Sequence, residues 1–148
     1  MAVQFWLDKG KKQIDPELFS QQADDLAQQV NQERGRSEKI NNPTQLRKFF
    51  DEVIRFQTLL QGDGEQFSAL LPYIKMINAK AAYAMGRELI GPQMKNFISD
   101  SLKQVNDKDD FELFCSFFEA FMGFYKYHVV VNKAAAQHGG GGYQAQRR

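Results

Sequence analysis

Lys48 and Arg55 stand seven residues apart, and so do Lys80 and Arg87. Seven residues are about two turns of an α-helix, so each pair sets two cations on one face. Tyr83 falls between Lys80 and Arg87 on much the same stripe. Arg47 is at the margin of the Lys48 face, Lys75 on another edge of the Lys80 helix, and Lys95 adds a single charge further on. Cations repeated at this interval can follow the phosphates of a nucleic-acid strand, and a tyrosine among them can support a base or sugar. The segment KMINAKAAYAMGR (75–87) carries little polarity besides its cations, Asn78 and the Tyr83 hydroxyl. Its small residues, Ala79, Ala81, Ala82, Ala84 and Gly86, leave room for another backbone. It holds no nucleophile, base or metal-ligand set, which points to a binding subunit.

A blander chemistry accounts for the same charges. Arg47–Asp51, Lys48–Glu52 and Asp51–Arg55 are all i,i+4 pairs, the spacing of a solvated salt-bridge face. Arg87 near a helix C-terminus complements the helix dipole, and Lys80 can snorkel from a packed stripe. Spacing alone leaves both readings open. Lys80 and Arg87 are the foremost phosphate candidates, because only Glu88 is near them on their own helix.

Catalysis finds little support. His128 belongs to an aromatic stripe, where a hydrogen-bonded core or boundary histidine is the expectation, and His138 adjoins a glycine run. No histidines or cysteines have metal spacing, and no cofactor is expected. The acidic cluster Asp107, Asp109 and Asp110 sits where a helix begins, so it complements the dipole. Gly139–Gly142 follows no strand and precedes no helix, so it is not read as a phosphate loop. Cys115, the lone cysteine, lies among Phe114, Phe117 and Phe118 and reads as a buried thiol in a reducing compartment.

The elements that must hold these residues all have helical period. The expectation is an all-α fold, a compact bundle of about five helices in a single domain. Residues 1–14 form an N-terminal extension in which Phe5, Trp6 and Leu7 could dock, 15–136 the bundle, and 137–148 a disordered Gly-rich tail. Asp15-Pro16 starts the first helix, which fades near Arg34-Gly35. Asn42-Pro43 starts the second, with Gln45 placed for a capping box, and Gly62-Asp63-Gly64 ends it. Pro72 divides the third stretch into a short helix over 65–71 and a main one from 72 to 89. The fourth spans 92–105. The last starts at Asp107 or Asp109 and carries Phe111, Phe114, Phe118, Phe121, Tyr125 and His128.

With 19 basic and 18 acidic residues in 148, the chain is near neutral. That argues against a broadly basic nucleic-acid protein but not against local cationic stripes. No apolar run suggests a leader or membrane span, so a cytoplasmic protein without membrane contact is expected.

Three segments, QLRKFFDEV (45–53), LPYIKMINAKAAYAMGR (71–87) and FCSFFEAFMGFYKYH (114–128), occur in this order. Together they resemble the small subunit of type III-A CRISPR effector complexes, the Csm complex. The likeness covers roughly residues 40–130, and its middle segment is the most specific. Phe50 stands where a tyrosine is expected, at the loss of a hydroxyl. The resemblance implies a non-catalytic helical subunit. Several copies would form a minor filament beside the backbone subunits, touch guide and target RNA through phosphates, and help fix the large subunit. It makes Arg47, Lys48, Arg55, Lys75, Lys80 and Arg87 the RNA-facing candidates; Lys95 lies outside the matching segments. It also implies that the last helix's aromatics and the Ala/Gly face serve subunit packing. A helical protein–protein adaptor without nucleic-acid contact is the competing expectation, with a small helical enzyme far behind.

Overall fold

A computed structural model describes residues 3–61 and 66–141, with side-chain surroundings through Lys133. Its elements are a π-helical turn, Leu18–Gln22, and six α-helices: α1 Ala23–Gln32, α2 Pro43–Leu59, α3 Gln66–Lys75, α4 Ile77–Gly86, α5 Pro92–Lys103 and α6 Lys108–Gly141. No strand occurs among the described residues. The chain is an all-α, compact single domain, as the periodicity implied.

Local chemistry explains the helix starts. The Asp15 carboxylate accepts the Glu17 N–H at 2.9 Å, and the chain enters the π-helical turn that leads into α1. Asn42 accepts the Thr44 N–H at 2.9 Å with Pro43 in the first helical turn. The capping box stays half-made, because the Asn42 N–H donates to the Lys39 carbonyl instead of to Gln45. Asp107 accepts the Asp110 N–H at 2.9 Å, while Asp110 accepts the N–H groups of Asn106 and Asp107. This reciprocal cap confirms the dipole reading of the acidic cluster.

Pro72 does not divide the third stretch. α3 continues through it to Lys75, and the break falls at Met76. The bond that proline removes would have reached Ser68, which is exposed, so water can satisfy the freed carbonyl. The expected Gly62–Gly64 terminator lies outside the described residues. The expected tail, 137–148, overlaps the end of α6 as far as Gly141 and otherwise lies outside them.

α6 is the axis of the bundle. α1, α2 and the π-helical turn pack on it, α5 reaches it through Phe97, and α4 lies on α5. Phe111, Phe114, Phe117, Phe118, Phe121 and Tyr125 of α6 are all fully buried. These rings are core, whereas Phe124 is only partly buried and Tyr127 of the same helix stays exposed. Phe97 contacts four of the buried rings, with centroids 5.2–6.1 Å away. The N-terminal segment docks on the same helix. Phe5 is buried against Phe114 and Phe117. Trp6 donates its indole N–H to Asp110 at 2.8 Å, and Lys9 bridges Asp107 and Asp110. Leu7 stays exposed.

Asn41 ties the ends of the helices together. It is buried, in the left-handed region at φ 56°. Its amide donates to the Val30 carbonyl at 2.9 Å and to Glu33 at 3.0 Å, and its side-chain oxygen accepts the Gly91 N–H at 2.9 Å. Its backbone accepts from the Tyr125 hydroxyl and donates to Leu89. One residue therefore joins the end of α1, the α4–α5 turn and α6.

Candidate nucleic-acid interface

α2 presents Gln45, Lys48, Phe49 and Glu52 across a groove from Met76, Ala79, Lys80, Tyr83, Ala84 and Leu89. The groove encloses about 530 Å³. The helical register explains its make-up. Leu46, Phe49, Val53 and Phe56 turn inward on α2, as do Ile77, Ala81 and Ala84 on α4. The residues flanking these positions, Lys48 and Glu52 on one side and Lys80 and Tyr83 on the other, are carried to the rims.

Glu52 is the electrostatic centre. It accepts two hydrogen bonds from Arg55, 3.2 Å from Nε and 3.1 Å from Nη2, and one from Lys80 Nζ at 2.8 Å. The Arg55 hydrogen bonds, then that of Lys80, hold its carboxyl at about 2, against an ordinary 4.5. The i,i+4 pairs expected from spacing form only in part. Arg47 Nε does meet Asp51 at 3.0 Å. Glu52 turns instead to Arg55 at i,i+3 and across the groove to Lys80. Glu88 is the one acidic residue near Lys80 and Arg87 on their own helix, but that does not leave Lys80 unpaired. A carboxylate from another helix reaches Lys80, a contact that spacing along one helix cannot disclose.

The groove brings Lys48 and Lys80 together, with Arg55 joined through Glu52. Arg87 lies one turn past Tyr83, its guanidinium 5.7 Å from the ring centroid and its Nη1 3.4 Å from the hydroxyl. Lys48, Arg87 and Lys95 have no carboxylate partner among the described residues. Lys75 is drawn elsewhere. Its ammonium donates to the Leu102 carbonyl at 2.5 Å, in the last turn of α5, where a cation complements the helix dipole. Lys95 lies on α5 and does not line the groove. Of the seven cations singled out by type and spacing, two line the groove and two more, Arg55 and Arg87, adjoin it. The role of Glu52 as shared acceptor was missed, although its place between Lys48 and Arg55 was a signal.

The remaining reactive groups are occupied. His128 Nε2 is paired with Asp24 of α1 at the boundary of the core. The side chain of His138 falls outside the described residues. The Cys115 thiol is buried, and burial pushes its pKa well above the usual thiol range, so it is held neutral. No group of His, Cys, Asp and Glu side chains suited to a metal ion occurs among the described residues. No helix among them is long and apolar enough to cross a membrane.

A family model described as Csm2 Type III-A matches residues 13–130. No curated protein matches the chain, and no solved structure does.

Proposed function

The chain belongs to the Csm2 family of type III-A CRISPR systems, and from that premise we propose that it is a non-catalytic, RNA-binding structural subunit of the Csm effector. Membership makes it a small subunit of that complex. In our reading, copies of the chain form a minor filament along the guide RNA–target RNA duplex, beside the backbone subunits and against the large subunit, in the cytoplasm. Each copy contacts phosphates without reading sequence. Guide pairing already selects the target, so a subunit along the duplex needs only charge and shape.

One observation carries this reading: Lys48 and Lys80 line one groove with Arg55 and Arg87 adjoining it, and the one carboxylate that lines the groove among the described residues, Glu52, is already shared by two cations. Near-neutral total charge fits a repeating subunit, since strongly cationic copies would repel one another. The test is binding of labelled RNA to the full chain across a salt series. The triple variant Lys48→Ala, Lys80→Ala, Arg87→Ala is expected to lower affinity and to cut the slope of log K against log salt by about 2, for three lost single-strand phosphate contacts. An unchanged slope in a variant of normal helicity overturns the reading.

The apolar floor of the groove favours a second reading, a helical adaptor that touches only protein. It predicts that the complex purified around this chain keeps its RNA, and its RNA affinity, when these three cations are removed.

A further inference from the structure

Phosphate contacts do not need all that this face provides. Tyr73, Met76, Lys80, Tyr83 and Arg87 step by three and four along α3 and α4 and form one stripe. Its large side chains are left in solvent: Tyr73 is 58% exposed, Met76 50% and Tyr83 66%. Beside this stripe the groove has an apolar floor of Phe49, Ala84 and Leu89 between Lys48 and Lys80. Its 530 Å³ falls within the roughly 300–1,000 Å³ of small-molecule sites. The Arg87 guanidinium lies 5.7 Å from the centroid of the Tyr83 ring, which stands at the groove's edge.

A flat, weakly polar group with an anion on either side matches an apolar floor flanked by cations. An unpaired nucleotide is such a group, with its base for the floor and its two phosphates for the rims. Duplex RNA keeps its base faces stacked and offers none to a protein ring, whereas a single strand can splay a base onto an aromatic side chain. Charge selects RNA over a protein helix of mixed charge, because Glu52 is already engaged by Arg55 and Lys80 and the rims present cations.

We propose that the α2–α4 groove is a site for one unpaired nucleotide, with the base against Tyr83 and Lys48 and Lys80 on its flanking phosphates. This rests on the RNA-binding reading above and adds to it a preference that phosphate contacts alone would not create.

The experiment titrates the full chain into a single-stranded RNA carrying 2-aminopurine and into a blunt duplex of the same sequence. Tighter binding of the single strand is expected, with quenching of 2-aminopurine as it stacks. Tyr83→Ala should weaken single-strand binding by roughly 5- to 100-fold, leave the salt slope unchanged, and abolish the quenching. Tyr83→Phe should retain both. Tyr83 is too exposed for its truncation to unfold the chain. Lys80→Ala should lower the slope for single strand and duplex alike. Single-strand affinity indifferent to Tyr83→Ala, an equal loss with the duplex, or no quenching overturns the groove assignment while phosphate binding stands. Failure of the wild-type chain to bind either RNA overturns both. A protein helix captured in the groove, with RNA binding insensitive to Tyr83, sinks the nucleotide site alone.

Discussion

Removing one carboxylate should strengthen RNA binding. Glu52 is 2.8 Å from the Lys80 ammonium. A phosphate oxygen accepting from the far side of that ammonium would lie a similar distance beyond it, which puts phosphorus about 7 Å from the carboxylate. In a water-like dielectric, like charges at that distance repel by about 0.6 kcal/mol. A second phosphate, on Arg55, doubles this to about 1.2 kcal/mol, or about sevenfold in affinity at low salt. Screening at 0.1 M, with a Debye length of about 10 Å, halves the energy and leaves about threefold. Glu52→Gln keeps the shape of the side chain and removes its charge. Fluorescence anisotropy with a labelled RNA, at 10 mM and at 100 mM salt, should therefore show tighter binding by the variant, with the gain shrinking as salt rises. Thermal melts followed by circular dichroism check that the bundle survives loss of a solvent-facing triad that contributes only about 1 kcal/mol. A folded Glu52→Gln protein with unchanged or weaker affinity would refute the reasoning, since it would mean that Lys80 and Arg55 do not face the strand.

Other expectations concern the frame that holds this face. Asn41→Ala leaves the buried Gly91 N–H and Val30 carbonyl without their partner and replaces asparagine, which tolerates the left-handed region, with alanine, which does not. Urea unfolding should show a loss of about 3–5 kcal/mol, with Asn41→Gly recovering about 1 kcal/mol of it through its freedom at positive φ. Glu88 ends α4 at φ 61° with Leu89 N–H bonded back to Ala84 and its own N–H to Met85, the geometry usually filled by glycine. Glu88→Gly should raise stability by about 1 kcal/mol, seen as a higher urea midpoint. Because Arg55 and then Lys80 hold Glu52 below its ordinary 4.5, at about 2, its contribution to stability is complete above pH 4.5 and is lost as pH falls toward 2. A pH series of urea melts should show a shallower acid decline in Glu52→Gln than in the wild-type chain.

Much of the bundle was legible because its signals are local. Asn42-Pro43 and Asp107 cap the helices expected of them, and the apolar steps from Leu46 to Phe56 and from Phe111 to Tyr125 turn inward as their period requires. Arg47 and Asp51 meet as i,i+4 neighbours should. The effect of Pro72 was misjudged because it depended on whether the freed Ser68 carbonyl faces water, which is a property of the assembled bundle. The role of Asn41 and the partner of Trp6 were hidden for a related reason. Their partners lie dozens of residues away or more, at Gly91 and Asp110.

The chain's order of residues determined by itself that it folds into helices, which faces turn inward, and which cations share a stripe. Tertiary packing alone decided where those cations spend their charge. Lys75 went to the end of α5, Lys80 crossed to Glu52, and Lys48 and Arg87 were left without a carboxylate among the described residues. The physical reason is that helix period is set by bonds within four residues, whereas an ion pair depends on which neighbouring helix brings an opposite charge within about 4 Å. That distance follows from how the aromatic core on α6 orients the helices around it.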